Sequence, residues 1–184
     1  MATSLAAYCR MLGRALISWL LSFSLLVSFT PGANAMPPEL RESFIQELRA
    51  IHDRHPPYRK DINIRPFDPI ENGVDCSRYM FLGLVQAARK AGIVGVHRVP
   101  AKDMAAGLGG WDNREVSHLV ARPGDLTFWI FNGQWHTGAV FEPWSQGHGK
   151  VIHSSSSRRG PVIDPWRGKL LNELEHVKEL LIGD

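Results

Sequence analysis

The chain has 184 residues, 44% of them hydrophobic and 21% charged, a globular composition sufficient for one core and short of two. Its 21 basic and 18 acidic side chains give a net charge of +3, spread along the sequence rather than gathered in runs. That balance suits an anionic surface such as a cell wall or membrane and falls short of a basic nucleic-acid footprint, so no nucleic-acid partner is expected.

Residues 1–35 read as a secretory signal peptide. Arg10 and Arg14 supply a positive start, "ALISWLLSFSLLVSF" from Ala15 to Phe29 is uncharged and apolar, and "PGANA" ends in a small-x-small pattern that predicts cleavage before Met36. An uncleaved anchor is the alternative, but the apolar run covers 15 residues where a span needs about 20. Cys9 precedes that run, which argues against a lipid anchor. The expected product is a single exported domain, residues 36–184, periplasmic or secreted, with no stable membrane span. Of the two cysteines, removal of the leader leaves only Cys76, without a disulfide partner in its own chain. An unpaired thiol in an oxidising compartment asks for a reason, either catalysis or deep burial.

In chain order, Glu39 to Asp53 spaces Leu40, Phe44, Leu48 and Ile51 as one helix face, opened by proline and closed by "HPPYRKD". Tyr58 to Gly73 carries Pro66, Pro69 and several Asp and Asn residues, and reads as an irregular loop. Cys76 to Lys90 repeats Phe81, Leu84, Val85 and Ala88 at helical spacing, predicting a buried helix ended at Gly92. A short helix and loop are expected in "VPAKDMAAGLGGWDNREVSHLV". Then "GDLTFWIF" and "HTGAVFE" form a predicted hairpin across "NGQW". "KVIHS" follows as a third strand and "GPVIDPW" as a fourth, while Leu171, Leu174, Val177 and Leu181 predict a closing helix over Lys169 to Ile182. Helices first and an antiparallel sheet afterwards indicate an α+β domain.

A thiol becomes nucleophilic as a thiolate, which a helix amino terminus and a nearby histidine both favour. The turn-like "ENGVD" places Cys76 at a helix start, beside backbone N–H groups free to hold an oxyanion. His136 opens one predicted strand and His153 ends the next, so one imidazole is placed to act as base while the other orients it. On these residues alone a catalytic set and a core cysteine with surface histidines both stay open. A metal site from His136, His148 and His153 is disfavoured by the lack of a His-Glu-x-x-His pattern, and neither metal nor cofactor is expected.

The order of motifs resembles the NlpC-type cysteine peptidases of bacterial cell walls. "VDCSRYMFLGLVQAARKAG" is similar to that family's Asp-Cys-Ser-Gly helix start, "RVPAKDMAAG" to its Pro-Arg-Thr linker, "ARPGDLTFW" to its Pro-Gly-Asp-Leu strand, "HTGAVFE" to its His-Val-Gly-Ile-Tyr strand, and "VIHSSSSRRGPVI" to its His-Ala-Ser strand end. The resemblance runs from Tyr58 to Ile163. It implies a papain-like fold with N-terminal helices packed on a small antiparallel sheet, Cys76 as nucleophile, His136 as general base and acid, and His153 as the group orienting His136. It further implies that Tyr58 lines the nucleophile and that Asp75 and Ser77 hold the free amino group of a peptidoglycan stem peptide. Trp135, beside His136, is a candidate cleft wall. The family's glycine after Asp-Cys-Ser is Arg78 here, a position from which a guanidinium would narrow the cleft or recruit a substrate carboxylate. The Trp-Gly-Gly that follows the family's tyrosine is missing. The implied activity is cleavage of an amide bond in stem peptides, with the family's preference for the bond between γ-D-glutamate and the diamino acid. The same site on another amide or ester, or a noncatalytic wall-binding role on this scaffold, are the alternatives. Oligomeric state is not legible.

Overall fold

A computed structural model describes residues 34–60, 63–91 and 95–182, so nearly all of the signal-peptide reading lies outside the described residues. Two long helices come first. Helix α1 (Pro38–Asp53) has proline in its first turn and Glu39 at its positive end, and buries Leu40, Phe44, Leu48 and Ile51. Helix α2 (Cys76–Lys90) is capped by Asp75, whose carboxylate accepts the Arg78 N–H at 2.7 Å, and it ends on Arg89 and Lys90, cations beside the free carbonyls. The two helices approach closely at Gly83, where an added Cβ would stand 2.6 Å from Leu48 Cδ2. Tyr79 ties them by donating its hydroxyl to Leu48 O at 2.5 Å. The short helix α3 (Ala101–Ala105) follows, close to its expected place.

The antiparallel sheet comprises β1 (Asn34–Ala35), β2 (Asn113–Glu115), β3 (Leu126–Phe131), β4 (Gln134–Ser145), β5 (His148–Ser155), β6 (Gly160–Pro165) and β7 (Leu174–Ile182). Its order is β1-β7-β3-β4-β5-β6, with β2 also pairing β7. The β3–β4 and β4–β5 hairpins use turns that need positive φ. Asn132 and Gly133 lie at 51° and 75°, and Gln146 and Gly147 at 51° and 83°, the sense that matches strand twist. The sheet separates two apolar clusters. Leu126, Phe128, Ala139, Ile152 and Leu180 join the residues of α1 and α2, while Trp129, Val140, Val151, Trp166 and Val177 form the second. The protein is thus α+β, with helices packed on an antiparallel sheet.

The expected closing helix is corrected by the structure. Only α4 (Lys169–Asn172) is helical, and Leu174–Ile182 is a strand paired with β1, β2 and β3. Val177 contributes to one apolar cluster and Leu180 to the other, so the strand is buried on both faces. A register shift opposite Phe128 and Trp129 interrupts its alternation. Apolar residues on both faces, spaced irregularly, imitate a helical period.

A buried ionic knot fixes this strand to α1. Glu179, 1% exposed, receives Arg41 at 2.8 Å and also pairs with Arg114 and Arg122. Arg41 also pairs with Asp125 and donates Nε to Met36 O at 3.1 Å. With each oxygen of Glu179 and each end of Arg41 engaged, the charges are compensated, as burial demands.

Candidate active site

Cys76 is the first residue of α2 and is 8% exposed. The N–H groups of Thr137, Ser77 and Cys76 itself point at its sulfur. Because Thr137 N is bonded to the carbonyl carbon of His136, the peptide between the two residues borders the thiol. Burial pushes the Cys76 thiol up to about 11, the Asp75 carboxylate adds to the rise, and the three N–H donors act against it. Desolvation and the neighbouring carboxylate thus oppose the thiolate that the helix end favours.

A chain of hydrogen bonds runs inward from His136. Its Nε2 lies 2.8 Å from His153 Nδ1, and His153 Nε2 lies 3.3 Å from Asp164 Oδ2 on β6. With both imidazoles neutral, the carboxylate sets the direction of the chain. An ionised Asp164 accepts a proton held on His153 Nε2, so His153 Nδ1 accepts from His136 Nε2–H, leaving His136 Nδ1 with a free lone pair. Bonding to His153, chiefly, holds the Asp164 carboxyl below its ordinary value, in keeping with that ionised state. Burial, then the nearby His153, pushes His136 down to about 3, so at neutral pH it is an uncharged base.

Two features hold the imidazoles in place. The Trp129 ring packs 5.6 Å from His136 and 5.9 Å from His153, centroid to centroid. Gly138, paired with His153 across the strands, leaves space that a side chain would fill: an added Cβ would be 2.8 Å from His153 Cβ.

A cleft of about 740 Å³ is lined by Tyr58, Asp75, Cys76, Ser77, Trp135 and His136 among others, so six of the eight sequence-derived site residues share one cavity. His153 lies behind His136, as expected of an orienting group. Burial pushes the Tyr58 hydroxyl up to about 12, with the charges of Cys76 and Asp75 adding to it, so it stays a donor beside the sulfur. Trp135 stacks on His176 at 12° between planes.

Arg78 is corrected: it does not line the cleft. It is 1% exposed and its guanidinium turns beneath the preceding loop, donating to Gly73 O and Asp68 O. His148 is likewise separated from the other two histidines, since it opens the strand that His153 nearly closes, about 17 Å away along an extended chain.

Sequence reasoning missed Asp164 and Arg98. Arg98 donates to Asp75 Oδ2 at 3.0 Å and to Ile64 O at 2.6 Å, and lines the cleft. Asp164 had one local signal, its place on the same strand face as Val162, which pairs with His153. Arg98 sits in a segment without regular structure and had none.

No family model matches the chain, and no curated protein matches it. Among the described residues no helix is long and apolar enough to cross a membrane.

Proposed function

We propose that the protein is an exported, papain-like cysteine hydrolase of the NlpC type that cuts an amide bond in the stem peptides of peptidoglycan. The observation that carries this reading is the Asp164–His153–His136 chain, which ends in a free imidazole nitrogen at the cleft that Cys76 also lines.

In the proposed reaction the thiol attacks the scissile carbonyl carbon while its proton passes to His136 Nδ1, a general-base step suited to a neutral pair. The N–H groups at the start of α2, with the Tyr58 hydroxyl, receive the developing oxyanion. His136 returns the proton to the leaving amine, and the C–N bond breaks to give a thioester. Water then attacks, its proton taken by His136; the acid departs and the thiol recovers the proton. No cofactor takes part in this scheme. The resemblance to the family favours the γ-D-glutamyl–diamino acid bond.

A noncatalytic wall-binding role is the second reading, favoured by the burial of the thiol and its upward shift. Incubating the protein and its Cys76→Ala variant with purified peptidoglycan separates the two. Muropeptide fragments resolved by mass spectrometry are expected from the first protein alone. Identical patterns from both sink the hydrolase reading, and sedimentation of both with intact wall supports binding.

A further inference from the structure

The proposed chemistry leaves unexplained the charge that lines the cleft. Lys60, Arg65, Arg98 and Lys102 all border it, and Asp75 is the one carboxylate among its described lining residues. That carboxylate is already engaged at both oxygens: Oδ1 accepts Ser77 Oγ at 2.9 Å and Arg78 N at 2.7 Å, and Oδ2 accepts Arg98 at 3.0 Å. Lys60, Arg65 and Lys102 are exposed, and none makes an ion pair among the described residues. Behind the wall, the buried Arg78 guanidinium holds its proton less tightly, through burial first and then through the charge of Arg98.

An ammonium group entering here meets like charge on several sides and finds one acceptor site left on Asp75, at Oδ2 beside the Arg98 guanidinium. A carboxylate meets the opposite situation. Arg98 has five N–H donors, of which the bonds to Asp75 and Ile64 use two, and guanidinium-to-carboxylate bonds are the strong, directional kind. The unpaired lysines and Arg65 raise the local concentration of anions at the mouth.

We propose that this cleft selects a substrate bearing a carboxylate, rather than a free ammonium, on the acyl-side residue that meets Asp75 and Arg98. The inference rests on the hydrolase reading only for the side of the scissile bond involved. Asp75 and Ser77 then act as the support that aims Arg98, in place of the amine-holding role that the family resemblance implies for them.

Three versions of one stem tripeptide amide test the charge directly: free amino terminus, N-acetylated and N-succinylated, which place at that terminus an ammonium, no charge and a carboxylate. Cleavage by the protein and binding to Cys76→Ala by calorimetry are measured for each. Tighter binding and higher kcat/KM are expected in the order succinyl, acetyl, free amine. The succinyl advantage should shrink about three- to tenfold in Lys60→Gln/Lys102→Gln, the sum of two exposed ion pairs, and again as salt screens them. Arg98→Gln should shift preference toward the free amine by uncovering Asp75.

Preference for the free amine, or equal binding of all three peptides, overturns the proposal. Cleavage with the free amine preferred refutes the charge selection and leaves the hydrolase standing. Selective binding of the succinyl peptide without cleavage refutes the hydrolase and leaves the charge selection standing.

Discussion

Replacing Arg78 with methionine tests whether this residue governs the cleft or the fold. Methionine keeps an unbranched side chain of similar reach and removes the guanidinium. Two charge-assisted bonds are lost, to Gly73 O and Asp68 O, each contributing roughly 1.5–3 kcal/mol. Against that, Nε has no partner and its burial cost vanishes with it. The net expectation is a destabilisation of about 2–4 kcal/mol, which for a domain of this size lowers Tm by about 5–15 °C. Urea unfolding followed by tryptophan fluorescence measures the first figure and calorimetry the second. Because Arg78 lies beneath the loop and outside the cleft lining, the relative rates on charged and neutral peptides should hold below the unfolding temperature. Unchanged stability together with an altered substrate ratio would falsify the reasoning, since it would make Arg78 a cleft residue after all.

Four further outcomes are expected. Gly138→Ala forces a Cβ to within 2.8 Å of both His153 Cβ and Ile152 O, so it should destabilise by about 1–3 kcal/mol and reduce activity more than stability; a fully active, fully stable variant counts against the packing account. With the thiol raised to about 11, iodoacetamide should alkylate Cys76 slowly at neutral pH and progressively faster as pH rises, measured by intact mass; rapid, pH-independent labelling around neutrality would show a preformed ion pair. His136 is held neutral down to about 3 when folded, whereas an unfolded imidazole takes a proton near 6.5. The unfolded state therefore binds the extra proton, and stability should fall with pH from about 6.5 toward 3 at up to about 1.4 kcal/mol per pH unit; in His136→Asn that slope should flatten, and equal slopes in denaturant titrations would remove the cause. Asp164→Asn keeps the shape but no longer dictates the proton on His153, so kcat should drop on the order of tenfold or more with KM little changed and the acidic limb of the pH–rate profile displaced; an unaltered profile reduces Asp164 to a packing role.

What the sequence makes legible is what short-range physics decides. Asp75 as cap fixes the start of α2, and Asn132-Gly133 needs no distant partner to turn the chain, so these elements and the order of Cys76, His136 and His153 can be read directly. Leu174 to Ile182 is different: its leucine, glutamate and lysine content favours helix, but propensity is a weak preference that pairing on two edges and burial on two faces overrides. Arg78 misleads for the opposite reason. Its identity departs from a family pattern at a site position, and only the fold reveals that carbonyls of the preceding loop claim it. Asp164 and Arg98 act through contacts spanning 11 and 23 residues, with no periodic pattern joining them to their partners.

The place of β7 also has a consequence for the order of events in biosynthesis. The strand that is last of the seven in sequence lies inside the sheet, between β3 on one edge and β1 and β2 on the other, and carries the carboxylate that gathers Arg41, Arg114 and Arg122. A nascent chain that has not yet delivered this strand leaves two edges open and three arginines without their anion, and such long-range closures come late. Closure of the sheet thus waits for the strand that comes last of the seven in sequence, and until then the earlier elements stay pliable.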